Sequence, residues 1–250
     1  MERRIEIQNL LTMGSNRMRV ADLSRHFGVS AVTIRKDLRV MEAKGVLVRG
    51  YGVASNVAGT ARYSLQRDIR IHEDLKRRIA DKAATLVSDR EVVMLGPGST
   101  CCLLGQQLCR MQSLILVTNA ICFEPYLMPA NDVRVLYLGG EYNTDNGSTI
   151  GSFAIDALRQ LSIDCFFIGA TGVTTQAGLT SNNFADAMVV RTMMERSKQV
   201  VLITDHTKFG RVSMLKIADF DAVDMVITDK ELDEKYVQEL NTRGVHLALV

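Results

Sequence analysis

Short apolar segments alternate with helical patterns from residue 76 onward, and this alternation restricts the fold more than any other feature. The apolar runs are short, rich in β-branched residues and bounded by Gly, Asn or Asp, and they lie at 92–95, 114–117, 133–138, 165–168, 200–203, 223–227 and 245–249. Helical patterns lie between most of them, at 76–87, 99–110, 120–128, 152–161, 184–197 and 230–242. Apolar strands separated by helices predict an α/β fold, with a mostly parallel sheet covered by helices on both faces.

Small and polar residues follow these predicted strands, where the carboxyl edge of the sheet would lie. Ligands of open α/β sheets bind beyond this edge, so we expect an effector site there. The candidate effector-binding residues are Gly96, Gly98, Ser99, Thr100, Thr118, Asn119, Gly140, Asp205 and Lys208.

The first of these segments, 96–100 (Gly-Pro-Gly-Ser-Thr), runs directly into a predicted helix. Backbone N–H groups at the positive helix end, together with two hydroxyls, suit an anion and most simply a phosphate. The segment is neither a Walker A loop nor a GxGxxG motif, and a glycine-rich turn is as often a plain left-handed turn. Lys208 could supply a countercharge if its loop folds over the same edge, although a lone lysine is more often simply solvated.

Charge is distributed unevenly along the 250 residues, whose net charge is +2. Residues 1–57 carry ten basic and five acidic side chains (10 − 5 = +5), which leaves 20 − 23 = −3 for the remainder. A basic end on a mildly acidic body is typical of a chain in which one part contacts phosphates, although chance can also produce it on a solvated surface.

The basic end has the pattern of a helix-turn-helix. Residues 2–13 predict a first helix, 20–27 a second, Gly28 the turn, and Ser30 the N-cap of a third helix that begins at Ala31. The alternating segment 45–52 then predicts a β-wing.

The third helix has two contrasting faces. Ile34, Leu38 and Met41 form an apolar stripe, and basic residues lie opposite. A basic stripe suits a helix in the DNA major groove, where Arg and Lys read guanine or hold phosphates and small apolar groups contact the thymine methyl. Each cation alone could equally belong to a solvated face. The predicted DNA contacts are Arg19, Ser30, Ala31, Val32, Thr33, Arg35, Lys36, Arg39, Arg49 and Tyr51.

Segments 20–23 and 29–38 resemble the winged helix of the DeoR family of bacterial transcriptional regulators. The family's run Thr-Ile-Arg-Arg-Asp-Leu recurs here with Lys36 in place of one Arg. The body is also similar to the family's effector domain, in the segments 98–100, 117–119, 138–140, 150–151, 172–173, Asp205 and 208–210.

This resemblance implies a fold related to sugar-phosphate isomerases and CoA transferases, and sensing of phosphorylated sugars or related metabolites. The chain departs from the family pattern twice. It has Tyr51-Gly52-Val53-Ala54 where the family has His-Gly-Gly-Ala, and Leu95-Gly96 where the family has Leu-Asp. The second departure removes a carboxylate that would hold sugar hydroxyls.

We therefore expect a DNA-binding transcriptional regulator, in particular a repressor released by a phosphorylated metabolite, with no catalytic residues, cofactor or metal. Residues 1–57 would form the DNA-binding domain, 58–75 a linker, and 76–250 the effector-sensing and oligomerisation domain. The expected partners are a double-stranded DNA operator and the effector. One helix-turn-helix covers about half of a useful site, so a homo-oligomer, dimer or tetramer, is also expected.

Two other functions stay open on the sequence. One is an isomerase with an accessory DNA-binding segment, but residues 169–172 read Gly-Ala-Thr-Gly where ribose-phosphate isomerases have Gly-Ala-Asp-Glu. Such an enzyme needs a positioned base, for which Asp186, Asp205 and His206 are the remaining candidates. The other is a metabolite-binding protein with an incidental helix-turn-helix.

The location expected from the sequence is the cytoplasm. Apolar runs are far shorter than the roughly 18 residues of a membrane helix, and no signal-peptide pattern is present at residue 1. Five cysteines without CxxC spacing predict reduced, mostly buried thiols, with Cys101 and Cys102 placed just after the glycine-rich loop.

Overall fold

A computed structural model describes residues 3–4, 6–7, 10, 17–43, 47–50, 53–56 and 65–250. The chain divides into two compact units, Met1–Ser64 and Leu65–Val250.

The first unit is a helix-turn-helix with a small sheet, as predicted. Helices α1 (Val20–Phe27) and α2 (Ala31–Ala43) are joined through Gly28, whose φ of 63° is the left-handed conformation that glycine adopts readily. Residues 3–4, 6–7 and 10 are helical as well. The buried core of the unit consists of Ile7, Val20, Leu23, Ile34, Leu38, Met41 and Leu47.

The predicted wing is an antiparallel pair, β2 (Leu47–Gly50) and β3 (Val53–Asn56). A third strand, β1 (Arg17–Arg19), pairs with β3 and gives the order β1-β3-β2. The sequence analysis did not predict β1, because three residues before a helix are too few to show an alternating pattern.

The second unit is built on a seven-stranded parallel sheet with the order β15-β14-β12-β9-β4-β5-β6. Its strands are β4 (Val92–Leu95), β5 (Ile115–Thr118), β6 (Arg134–Tyr137), β9 (Ile163–Ile168), β12 (Ser197–Ile203), β14 (Met225–Thr228) and β15 (His246–Leu249). Every predicted apolar run overlaps one of these strands, which confirms the predicted sheet.

Six helices belong to the described part of this unit: α3 (Leu65–Arg70), α4 (Glu73–Ala84), α5 (Ser99–Leu108), α6 (Ser152–Arg159), α7 (Phe184–Glu195) and α8 (Glu234–Thr242). The predicted helix over 120–128 is wrong, since only a 3₁₀ turn at Ile121–Phe123 forms there. Pro125 follows shortly, and its missing N–H cannot continue a helical ladder.

Two small antiparallel sheets accompany the large one and were not predicted. One is the hairpin β7 (Glu141–Asn143) with β8 (Ser148–Ile150). The other contains β10 (Gly172–Thr174), β11 (Gly178–Ser181) and β13 (Leu215–Ala218). These strands have three or four residues and carry polar side chains, so the apolar pattern does not mark them.

The predicted linker over 58–75 extends too far at its carboxyl end. Residues 65–70 form α3, and α4 already begins at Glu73. Leu65 and Ile69 are 3% and 8% exposed, so this segment packs into the second unit. The helix has six residues and shows one i,i+4 apolar pair, which is too short a pattern to predict a helix from sequence.

All five cysteines are free, as expected, and four of them are buried. Burial raises the pKa of Cys101 to about 12, so its thiol stays protonated. No helix in the described part of the chain has the length and apolarity to cross a membrane.

Candidate functional site

The start of α2 is held by the predicted N-cap. The Thr33 backbone N–H donates to Ser30 Oγ at 3.2 Å, and the two hydroxyls lie 3.0 Å apart. Ser30 is exposed and Thr33 half-buried, so both hydroxyls lie at the surface end of the helix while they fix its first turn.

The two faces of α2 are separated as predicted. Arg35, Lys36 and Arg39 are exposed, and Val32 stands out with 72% of its surface accessible. Ala31 differs, because it is half-buried and packs against the core of the first unit. We define the basic face of α2 as Val32, Arg35, Lys36 and Arg39.

Asp37 lies between these cations in sequence, yet it is buried and turned inward. It is 5% exposed and accepts hydrogen bonds from Nε of Arg3 at 2.7 Å and Nε of Arg4 at 2.8 Å. Burial works to raise the pKa of Asp37, but the bonds and charges of the two arginines outweigh it and hold the pKa below its usual range. Two basic residues of the N-terminal segment are thus engaged with an acid of α2.

Two of the other predicted DNA contacts lie in the small sheet of the first unit. Arg19 is exposed at the end of β1, directly before α1. Arg49 belongs to β2, whose backbone is described. Tyr51 lies outside the described residues.

The glycine-rich segment forms the N-terminus of α5. Gly98 caps the helix with φ 141° and no side-chain cap, and Cys102 N–H donates to its carbonyl at 3.0 Å. Gly96 N–H donates to Phe167 O at 2.9 Å, which fixes the loop to β9. The first-turn N–H groups of a helix have no intrahelical partner, so a positive helix end lies beside half-buried Ser99 and buried Thr100.

Thr118 ends β5 and Asn119 follows it, and both are fully buried. The Thr118 hydroxyl donates to Leu95 O at 2.8 Å and accepts from Ala120 N–H at 3.1 Å, so it ties β5 to β4. The Asn119 amide donates to Thr149 O at 2.9 Å, whereas its Oδ1 has no hydrogen-bond partner among the described residues. Of these two side chains, only Asn119 therefore has a free acceptor.

Gly140 has a packing reason for lacking a side chain. A Cβ at this position would lie 2.5 Å from Ile150 O, and φ is 153°. The close approach of the β7–β8 hairpin therefore requires glycine here.

Asp205 and Lys208 lie just beyond β12, around a 3₁₀ turn at His206–Lys208. Asp205 is 2% exposed and accepts from Thr207 N–H at 3.0 Å and from the Thr207 hydroxyl. Lys208 is half-buried, with its backbone N–H bonded to Asp205 O at 3.2 Å. Both residues thus lie at the carboxyl edge of the sheet, as predicted.

Lys76 is a charged residue at this edge that the sequence analysis missed. It is 6% exposed, its ammonium donates to the Asp68 carbonyl, and it lies within electrostatic range of Asp205 and Lys208. Burial lowers the pKa of Lys76, the charge of Lys208 lowers it further, and Asp205 opposes the shift. A lysine in an amphipathic helix predicts a solvated face, so no signal in the sequence marks this burial.

His206 and Asp229 form a second unpredicted group. His206 Nδ1 lies 2.7 Å from Asp229 Oδ1, and Glu231 brings a third ligand-type atom, all within 4.8 Å of one another. Fully buried Asp229 also accepts the N–H groups of His206 at 2.8 Å and Glu231 at 3.0 Å. These hydrogen bonds explain why the three side chains lie together, because they join the loop after β12 to the loop after β14.

Asp186, one of the bases considered for an isomerase, is also bound into the structure. It is 5% exposed, accepts from the Ser148 hydroxyl at 2.7 Å and bonds the Asn146 amide. Burial raises the pKa of Asp186, and the Ser148 bond opposes that shift. Its contacts join α7 to β8.

The chain joins a helix-turn-helix with a basic face to a parallel α/β unit, whose carboxyl sheet edge holds a positive helix end and two lysines. These features define the class of ligand-responsive DNA-binding regulators. The comparisons with known families are specific. Residues 3–58 match the DeoR-like helix-turn-helix domain, and residues 71–230 match the DeoR C-terminal sensor domain. The chain therefore belongs to the DeoR family of transcriptional regulators.

Relatives with named roles cover almost the whole chain. The HTH-type transcriptional regulator GlpR of Haloferax volcanii is 30% identical over 98% of this chain and 95% of its own. The glycerol-3-phosphate regulon repressor of Escherichia coli K12 is 28% identical over 91% and 90%, respectively. Among solved structures, ribose 5-phosphate isomerase A of Methanocaldococcus jannaschii aligns over 55% of this chain and 54% of its own, with 20% identity and a TM-score of 0.39, too distant to bear on function.

Proposed function

We propose that this protein is a transcriptional repressor that binds a double-stranded DNA operator through α2 and is controlled by a phosphorylated sugar or related metabolite bound in the second unit. The observation that carries the proposal is the basic face of α2, which is exposed while Ile34, Leu38 and Met41 are buried. The repressor name of the Escherichia coli relative supports the direction of regulation.

The DNA contacts follow from the chemistry of this face. Three cations project from one side of α2, those of Arg35, Lys36 and Arg39. Such cations bind guanine edges and phosphates. Val32 presents an apolar group at the helix start, where a thymine methyl would fit. Asp37 does not offset these charges, because its carboxylate is occupied by the N-terminal arginines.

The effector contacts follow from the N-terminus of α5 and the loop after β12. Gly98 leaves the helix start without a side-chain cap, and the Ser99 and Thr100 hydroxyls lie beside it. Such a site binds a phosphate through N–H groups and the helix dipole. Lys208 supplies a cation, and the free acceptor Oδ1 of Asn119 suits a sugar hydroxyl.

DNA binding is tested with the double variant Arg35→Ala/Lys36→Ala. An operator is first selected from random duplexes with the wild-type chain, and affinity is then measured by gel shift at several salt concentrations. Each lost guanine contact costs about 1–3 kcal/mol, and each lost phosphate contact lowers the salt slope by about one. Arg159→Ala, an exposed change in α6, is the control. Unchanged affinity and slope in the double variant would show that α2 does not read DNA.

Effector control is tested with Ser99→Ala/Lys208→Ala. A thermal-shift screen of sugar phosphates on the wild-type chain identifies a ligand that releases the operator. The double variant should keep operator affinity and lose this release. Loss of DNA binding instead would assign the two residues a structural role.

Oligomerisation and location complete the proposal. We expect a homo-oligomer, dimer or tetramer, because two half-sites need two helix-turn-helix units. We also expect the protein in the cytoplasm, because the DNA operator lies in that compartment. Sedimentation of the full chain measures the state, and a monomer at operator-binding concentrations would contradict it. In an isomerase assay with aldose phosphates, turnover would contradict a purely regulatory role.

A further inference from the structure

We infer that Lys76 is a second cationic contact for the phosphate of the effector, facing it together with Lys208. The inference rests on the proposed effector site and adds a residue that lies outside the glycine-rich loop and outside the loop after β12. It concerns the phosphate group itself, whichever metabolite carries it.

Placement is the first argument. Lys76 lies in the first turn of α4, where its backbone N–H donates to His72 O at 3.1 Å. The His72 ring in turn lies 6.4 Å from the ring of His206, centroid to centroid. The start of α4 therefore lies against the 3₁₀ turn that carries Lys208, which places Lys76 at the carboxyl edge of the sheet.

Unbalanced charge is the second argument. Lys76 is 6% exposed, and Asp205, Lys208 and Asp68 all act on its charge. Asp205 Oδ1 already accepts two bonds from Thr207. Two carboxylates thus face two ammonium groups, one carboxylate is engaged by Thr207, and the positive end of α5 adds to the cationic side, which an anion would balance.

Unused hydrogen-bonding capacity is the third argument. An ammonium has three donors, and the described contacts give Lys76 Nζ one acceptor, the Asp68 carbonyl. A phosphate oxygen would provide a charged acceptor for a further donor. Burying an ammonium that has one hydrogen-bond acceptor is unfavourable to folding, even with the Asp205 and Asp68 charges nearby, and a ligand oxygen would offset this cost.

The competing explanation is that Lys76 only fastens the end of α3 through Asp68. Two variants separate the roles. Lys76→Met removes the ammonium and keeps most of the aliphatic chain, whereas Lys76→Gln keeps a donor for the Asp68 carbonyl and removes the charge. Under a fastening role Lys76→Met lowers Tm, and both variants bind phosphate normally.

The experiment uses the full chain and inorganic phosphate as the probe, with Tm measured in phosphate-free buffer and affinity by calorimetry. We expect Lys76→Gln and Lys76→Met to lose at least tenfold in phosphate affinity without a fall in Tm. Lys208→Met should lower the phosphate affinity by a similar factor. Lys82→Met, an exposed lysine of the same helix, should behave as wild type.

The outcomes distinguish this inference from the proposed function. If Lys208→Met loses phosphate and both Lys76 variants retain wild-type affinity, Lys76 has no effector contact and the proposed function stands. If the wild-type chain binds neither phosphate nor any sugar phosphate, both fall together. If Lys76→Met does not fold, Lys76→Gln with wild-type affinity still overturns the inference.

Discussion

Asp37 contributes to the electrostatic stability of the first unit through two arginines. Its carboxylate is buried, and two arginines from the N-terminal segment bind it at 2.7 Å and 2.8 Å. Replacing it by Asn removes the negative charge and leaves one acceptor oxygen for two half-exposed arginines. We expect Asp37→Asn to destabilise the first unit by about 1–3 kcal/mol.

Hydrogen exchange of the α1 and α2 amides in the full chain measures this difference. The pKa of Asp37 is lowered on folding, so its contribution is present above the unfolded pKa of about 4 and is lost as pH falls through the folded value. The difference in the free energy of unfolding between wild type and Asp37→Asn should be constant from pH 7 to about pH 5 and should shrink below about pH 4. Asp22→Asn, whose side chain is 47% accessible and lies 3.5 Å from Arg25, is the control and should change stability by less than about 0.5 kcal/mol.

Gly96, at the position where the family has Asp, lies against a buried aromatic ring. A Cβ there would lie 3.3 Å from the Phe166 ring and 3.4 Å from Phe167 O, so the buried ring would have to shift by a few tenths of an ångström to admit a side chain. We expect Gly96→Ala to destabilise by about 1–3 kcal/mol through overpacking.

A double-mutant cycle in thermal unfolding tests this coupling. Phe166→Leu makes room, so Gly96→Ala should cost at least 0.5 kcal/mol less in that background than in the wild type. Equal costs in both backgrounds would show that the ring does not exclude a side chain.

Among the elements, α2 depends on its N-cap for the orientation of its basic face. Ser30 Oγ accepts the Thr33 N–H, and Ile34 N–H bonds Ser30 O at 3.1 Å. We expect Ser30→Ala to cost about 1 kcal/mol of stability and Ser30→Asp to keep the cap. Hydrogen exchange of α2 measures both variants, and an unaltered α2 in Ser30→Ala would show that the cap is dispensable.

Elements with a long apolar period could be predicted from the sequence, and short or polar ones could not. The inner strands of the large sheet are buried on both faces over most of their length, which leaves continuous apolar runs such as 200–203 in β12. The strands of the β7–β8 hairpin have three residues each, and α3 has six, so neither contains enough periods to recognise.

The candidate site divides in the same way. Glycine-rich and polar segments after the strands predicted the edge of the sheet, because strand ends and ligand edges coincide in this fold. Lys76 and Asp229 could not be predicted, since their partners are Asp68, eight residues away, and His206, 23 residues away, and only the folded chain brings them together. Thr118 was predicted as an effector contact because it carries a hydroxyl, but that hydroxyl donates to Leu95 O and ties β5 to β4.

At the scale of the whole molecule, the net charge of +2 combines two unlike units. The first 57 residues carry +5, of which Arg3, Arg4 and Asp37 together account for +1 within an internal cluster. The remaining +4 includes the three cations on the basic face of α2. The second part carries −3 and still holds a local pair of lysines near its sheet edge, which an overall charge does not reveal.

The boundary between the units leads to the last prediction. A fragment that begins at residue 65 keeps α3, His72 and the Asp68 partner of Lys76, whereas one that begins at 76 loses them all. Because Leu65 and Ile69 are buried, and each such side chain contributes about 1.5–3 kcal/mol, fragment 76–250 should be less stable than 65–250 by roughly 3–6 kcal/mol.

Urea unfolding of the two fragments by circular dichroism measures this difference, and calorimetry with inorganic phosphate measures ligand binding. Fragment 65–250 should unfold in one transition and bind phosphate as the full chain does, without operator binding. The double substitution Leu65→Ala/Ile69→Ala in 65–250 should reproduce most of the destabilisation of the shorter fragment, because it removes the buried side chains and keeps the backbone. Equal stability of the two fragments would mean that residues 65–75 are a linker after all.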